Sequence, residues 1–175
     1  LEFRRGALPI FHAVEETFTL PFEIPGQEPQ TITGRIDRID RHPTRGWQLL
    51  DFKSSDKGEG PDAAHHMRYA GRWRDLQLPL YRWAAPSILD GADADSIATG
   101  YFTVCADLDR IGVDPSKRID DLHDEAMEVV RSIVEAIRDG RFGIDEEDVP
   151  PFEGDPISLL MRTTALVSVD GEADA

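Results

Sequence analysis

Asp51 and Lys53 stand two residues apart at the end of an apolar run, Trp47-Gln48-Leu49-Leu50. In a strand, residues two apart project from one face. The carboxylate and the ammonium then point together, while Leu50 and Phe52 take the opposite face. A second acid, Asp37, lies in the β-prone run TITGRIDRID, residues 31–40, and the link HPTRG has hairpin length and turn-forming residues. Centring that hairpin on Thr44 sets Arg41 opposite Trp47, Ile39 opposite Leu49 and Asp37 opposite Asp51. Directly opposed residues have Cβ atoms about 4.5–5.5 Å apart, and two carboxylates at that spacing repel. A divalent cation between them turns the repulsion into coordination. Lys53, one step along, can put its charge on a phosphate or on the attacking water. Two acids for a hard cation plus one amine are the minimum for metal-assisted phosphodiester hydrolysis. The register matters: a slip by one residue sends Asp37 to the other face.

The elements that must carry these residues are legible from periodicity. Val14, Phe18, Leu20, Phe22 and Ile24 share a parity over residues 14–24, the pattern of a half-buried strand ended by Pro25-Gly26. Residues 31–40 and 47–55 follow as two more strands, and 56–64 as a Gly- and Pro-bearing loop. Residues 65–85 read as helical, with Tyr69, Trp73, Leu76, Leu80 and Trp83 near helical spacing. Pro79 either lies in the first turn of a helix starting near Asp75 or kinks a longer one. A fourth strand is expected over 97–108. A final amphipathic helix is expected over 118–139, its stripe running through Ile119, Leu122, Ala126, Val129, Val130, Ile133, Val134 and Ile137, with Gly140 as its stop. Three strands, a helix, a strand and a helix imply an α/β (α+β) architecture, a mixed central β-sheet with flanking helices. Residues 1–142 read as the core domain and 143–175 as an acidic, Pro-rich extension. Within that extension, 157–167 is apolar enough for a short last element.

Bulk properties bound the function. The 175 residues suffice for a full hydrophobic core. No apolar run approaches the roughly 20 residues that span a bilayer, so no membrane role is expected. The start at Leu1, without a signal-peptide pattern, points to a piece of a longer polypeptide. The single cysteine, Cys105, excludes an intrachain disulfide framework and fits a reducing cytoplasm. It also excludes a four-cysteine iron–sulfur cluster within this chain. Its place in YFTVC suggests a buried small hydrophobe. The net charge of −15 opposes nucleic-acid binding over the surface as a whole. Residues 35–82, with 10 basic and 7 acidic side chains, are the one net-positive stretch, and a polyanion would have to be met there.

A lone D-x-K is read more simply as a surface ion pair worth about 0–1 kcal/mol. The joint pattern is more specific. Gly34-Arg35-Ile36-Asp37-Arg38-Ile39-Asp40, then Leu50-Asp51-Phe52-Lys53-Ser54, then Gln77-Leu78-Pro79-Leu80-Tyr81 closely resembles the RecB-type branch of the PD-(D/E)XK nuclease superfamily. The resemblance covers roughly residues 14–105. It implies a restriction-endonuclease-like core and an (exo)deoxyribonuclease activity that leaves a 5′-phosphate and a 3′-hydroxyl, with cutting from an end or within the strand left open. It implies Mg²⁺ or Mn²⁺ held by Asp37 and Asp51 with the backbone carbonyl of Phe52, and Lys53 as the catalytic lysine. Gln77 and Tyr81 match the family's Q-x-x-x-Y signature, which implies a hold on DNA. Read from the residues alone, these two share a helix face at i, i+4, with Tyr81 as a core aromatic as the plainer reading. By family habit the partners are DNA and a helicase module, in DNA repair or recombination.

Two features depart from the family. Its members carry a further His or Glu metal ligand upstream of the first strand; here His12, Glu2, Glu15 and Glu16 are the candidates. The C-terminal cysteines of cluster-bearing relatives are absent. Elsewhere, His65-His66 reads as loop polarity, Gly58-Glu59-Gly60 lacks the lysine of a P-loop, and Asp145–Asp148 lacks calcium-loop spacing. An active nuclease is therefore expected. The alternatives are a catalytically inactive nuclease-fold module that binds DNA or serves as a scaffold, and an acidic protein-interaction domain.

Overall fold

The computed structural model describes residues 10–43, 46–54, 58–63, 68, 69, 72–89, 92 and 96–141. Expectations for Glu2, Thr44, His65, His66 and residues 142–175 lie outside them. The chain divides into two compact units, Leu1–Glu135 and Ala136–Ala175, and the sheet and the candidate site belong to the first.

Strands β1 (Ile10–Phe22), β2 (Gln30–His42) and β3 (Gly46–Ser54) form an antiparallel meander. Two short strands, β4 (Arg68–Tyr69) and β5 (Arg72–Trp73), pair with each other, and helix α1 (Gln77–Ile88) then leads to β6 (Ile97–Val104). A 3₁₀ turn (Leu108–Arg110), strand β7 (Gly112–Pro115) and helix α2 (Ile119–Arg138) complete the order. β6 lies parallel to β3 and antiparallel to β7, so the five-stranded sheet runs β1-β2-β3-β6-β7 and is mixed, as expected. The parallel pair requires a long crossover, and α1 lies within it.

α1 covers one sheet face. Leu78, Tyr81, Ala84 and Ala85 pack with Ile36 and Ile39 of β2, Leu49 of β3 and Ile97 and Tyr101 of β6. A neighbouring cluster joins Phe22, Ile24 and Val130, with Leu76, Leu80, Trp83 and Met127 packed against it, so residues of α1 and α2 share one apolar cluster with the end of β1. Each large side chain buried this way contributes about 1.5–3 kcal/mol. Gly34 belongs to the close packing: a Cβ there would collide with the Phe18 ring. Gly100 does the same where β7 approaches, since a Cβ would meet the Asp114 backbone.

Several expectations need correction. β1 begins at Ile10, and its alternation fails at Val14, which is exposed. Its pairing slips between Phe11 and Ala13, and Glu15 takes a left-handed φ of 52°, so the parity that holds from Phe18 onward does not extend upstream. The helix expected over 65–85 starts only at Gln77, because Arg68–Tyr69 and Arg72–Trp73 are strands. Trp73, which looked like part of a helical stripe, instead donates its indole N–H to Glu125 Oε1 of α2. Pro79 sits in the first turn, where a missing N–H costs nothing. The same helix runs past 85 through the exposed Pro86, forgoing one intrahelical bond. The fourth strand stops at Val104, and β7 was not foreseen. In α2, Ile133 and Ile137 are exposed, not buried. Cys105 is half-buried, with its thiol donating to the Asp107 carbonyl.

Candidate active site

The β2–β3 register is the one a turn centred on Thr44 demands: Arg41 faces Trp47, Ile39 faces Leu49 and Arg38 faces Leu50. The ladder stops at that last pair. One step further, Asp37 Oδ2 accepts the Phe52 backbone N–H at 2.9 Å. A side chain thus takes up a strand donor that the ladder leaves open, and it fixes the Asp37 carboxylate against the end of β3.

Asp51 is 2% exposed at that end of β3, flanked in register by Tyr101 of β6. Its Oδ2 lies 2.7 Å from Lys53 Nζ. The lysine is held again from above, by Gln77 Oε1 of α1 at 2.9 Å, and Asp75 Oδ2 lies 3.5 Å away. Its ammonium sits 5.1 Å from the centre of the Tyr101 ring. Burial pushes the Asp51 carboxyl above the ordinary 3.8, and the charges of Asp37 and Asp75 push the same way against the pull of Lys53. For Lys53, burial works to lower the ammonium's pKa, but Asp51 and Asp75 outweigh it and raise it above 10.5. The amine is therefore a fixed cation at neutral pH.

Tyr81 is 3% exposed, and its hydroxyl donates to the Arg35 carbonyl at 2.9 Å. Burial first, and the charges of Asp37 and Asp51 second, hold its phenol well above the ordinary value. It stays protonated and acts as a donor. Gln77, by contrast, is exposed. The i, i+4 pair thus reaches two different strands, Gln77 the Lys53 ammonium of β3 and Tyr81 the backbone just upstream of Asp37.

The structure brings Asp37, Asp51, Phe52, Lys53, Gln77 and Tyr81 to one end of the sheet. The upstream candidates for a third ligand are spread apart. His12 stacks edge-on against Trp47. Glu15 pairs with Arg35 at 3.5 Å in an exposed position. Glu16 is exposed opposite Ile36. Among the described residues, no three His, Cys, Asp or Glu side chains converge on one point. The residue that sequence reasoning missed is Asp75. An acid at a helix start is a capping signal, but its approach to Lys53 is a tertiary contact that no spacing announces.

A family model of the PD-(D/E)XK nuclease superfamily matches residues 3–148. The chain belongs to that superfamily. No curated protein and no solved structure gives a significant match. For a PD-(D/E)XK nuclease, the mixed five-stranded sheet with α1 and α2 against it is the restriction-endonuclease-like α/β fold. Among the described residues no helix is long and apolar enough to cross a membrane.

PD-(D/E)XK nucleases typically use divalent metals, and the donor set here fits one. Asp37 and Asp75 both act electrostatically on Asp51, so carboxylates outnumber the one ammonium, Lys53, at this end of the sheet. The oxygens are hard donors, and Mg²⁺ needs only one or two carboxylates because it keeps several waters.

Proposed function

We propose that this nuclease-superfamily chain is the core of a metal-dependent DNA nuclease, with Asp37, Asp51 and Lys53 as its catalytic centre. The observation that carries this reading is the Lys53 ammonium held 2.7 Å from Asp51, with Asp37 tied to the Phe52 N–H between them. Mg²⁺ or Mn²⁺ would be held by Asp37, Asp51 and the Phe52 carbonyl. Bound there, it supplies Lewis-acid polarisation of the phosphate and a more acidic water.

The chain's own residues supply the rest. Hydrolysis adds water to phosphorus and breaks the bond to the 3′ oxygen, leaving a 5′-phosphate and a 3′-hydroxyl. Negative charge grows on the phosphoryl oxygens, and the fixed Lys53 cation faces it in a partly dehydrated site, where electrostatic stabilisation is strongest. Gln77 aims Lys53. Exposed beside the lysine, it is also the member of the Q-x-x-x-Y pair better placed to meet DNA, while Tyr81 braces β2. On the RecB-type resemblance, the activity is that of an (exo)deoxyribonuclease in a cytoplasmic helicase–nuclease or DNA-repair protein. Residues 1–142 are then the catalytic core and 143–175 an acidic extension.

The test is linear DNA incubated with Mg²⁺ or Mn²⁺, beside Asp51→Ala and Lys53→Ala. Metal-dependent cleavage by the wild type alone is expected, and unchanged cleavage by both variants discards the assignment. The net charge of −15 and the scattered upstream ligands favour a second reading, a nuclease-fold DNA-binding or scaffold module without turnover. DNA binding with no response to metal would select it.

A further inference from the structure

We propose that Asp75 is a positioning residue for Lys53, holding the ammonium both directly and through Gln77. This deepens the nuclease reading above and rests on it. The two carboxylate oxygens have separate tasks. Oδ1 accepts the Gln77 backbone N–H at 2.8 Å, and Oδ2 stands 3.5 Å from Lys53 Nζ.

The first contact answers a need of the helix. α1 opens at Leu76 without a side-chain cap and carries no acid in its first turn. Its leading N–H groups lack partners within the helix, and Asp75 satisfies that of Gln77. Fixing the Gln77 backbone fixes the root of the side chain whose Oε1 receives Lys53 at 2.9 Å. The second contact lies at the outer limit of a hydrogen bond, so its effect is mainly Coulombic.

Lysine is a flexible four-carbon stem ending in three rotatable donors. Asp51, Gln77 and Asp75 set three acceptors around it. With Asp51 alone, the ammonium would be free to swing about the carboxylate. The pair on α1 restricts that swing and directs the remaining charge along the end of β3. Asp75 touches no reacting atom; it acts through the lysine.

Asp75→Asn separates the two tasks, since the amide oxygen still caps Gln77 while the charge beside Lys53 is gone. Asp75→Ala removes both. Two measurements are needed: the ¹H–¹⁵N signal of the Lys53 ammonium in protein without DNA or metal, and steady-state cleavage of linear DNA with Mg²⁺. Asp75→Asn is expected to melt within a few degrees of the wild type, yet to shift and broaden the Lys53 signal. Its kcat should fall on the order of tenfold with KM for DNA unchanged, and Asp75→Ala should lose up to about a hundredfold. A Lys53 signal in Asp75→Asn that superimposes on the wild type overturns the proposal. So does a loss of Mg²⁺ affinity equal to that of Asp51→Asn, which would make Asp75 a ligand. A wild type that cuts no DNA, but whose Lys53 signal still responds to Asp75→Asn, sinks the nuclease reading and leaves this hold on the lysine standing.

Discussion

Tyr81 donates its phenolic proton to the Arg35 carbonyl at 2.9 Å, and through that bond α1 holds β2 two residues upstream of Asp37. Tyr81→Phe keeps the ring in the core and removes only the hydroxyl. The loss of one such bond costs about 0.5–1.5 kcal/mol, or a few degrees of Tm in a domain of this size. If the hydroxyl is a brace, kcat falls and KM for DNA holds. A raised KM with kcat intact would instead put the hydroxyl on the substrate. Thermal melting and steady-state kinetics on one variant decide between them.

The surplus of carboxylates predicts a metal response that needs no DNA. Mg²⁺ or Mn²⁺ should raise the melting temperature of the wild type, since a ligand at 100 times its Kd stabilises by about 2.7 kcal/mol. Asp37→Ala and Asp51→Ala should abolish the rise. Lys53→Ala should keep it, because that change leaves both carboxylates and removes a competing cation. Differential scanning calorimetry with and without chelator reads all four proteins.

The pattern of success in the sequence has physical causes. β2 and β3 were legible because a short turn locks their register, and a locked register carries Asp37 to the end of β3 that bears Asp51. α2 was legible through its long apolar stripe, although its last turns expose Ile133 and Ile137. β7 was not, since four residues holding one glycine and one proline give no alternation to read. The β4–β5 hairpin was mistaken for helix because Tyr69 and Trp73 happen to fall four apart, a spacing shared by both structures. Asp75 was invisible as a site residue because its contact with Lys53 depends on how α1 lands on the sheet.

Asp51 also predicts a pH dependence. Burial, then Asp37 and Asp75, raise its folded pKa above 3.8. In the window between 3.8 and that raised value, the folded state binds more protons than the unfolded one. Stability contributed by this group is therefore present at low pH and falls as pH rises through the window. Asp51→Asn should flatten that part of the stability curve, measured by urea melts at stepped pH. Metal binding needs the ionised carboxylate, so metal affinity should rise with pH through the same window.

Glu15 gives a prediction that separates backbone shape from ligand chemistry. Its φ of 52° lies where L side chains are strained. It also sits where the β1–β2 ladder passes from Val14–Arg38 to Glu16–Ile36, so the kink falls opposite Asp37. Left-handed backbone costs an ordinary residue about 1–2 kcal/mol. Glycine avoids this but loses about 0.5–1 kcal/mol more chain entropy on folding. The exposed pair with Arg35 at 3.5 Å is worth about 0–1 kcal/mol. Glu15→Gly should therefore fall between about 1 kcal/mol destabilising and about 1.5 kcal/mol stabilising, whereas Glu15→Ala keeps the strain, loses the pair and should be the less stable variant. If Glu15 is only a kink, both variants retain the metal-induced rise in melting temperature. If its carboxylate is the missing ligand, both lose it together, whatever their stability without metal.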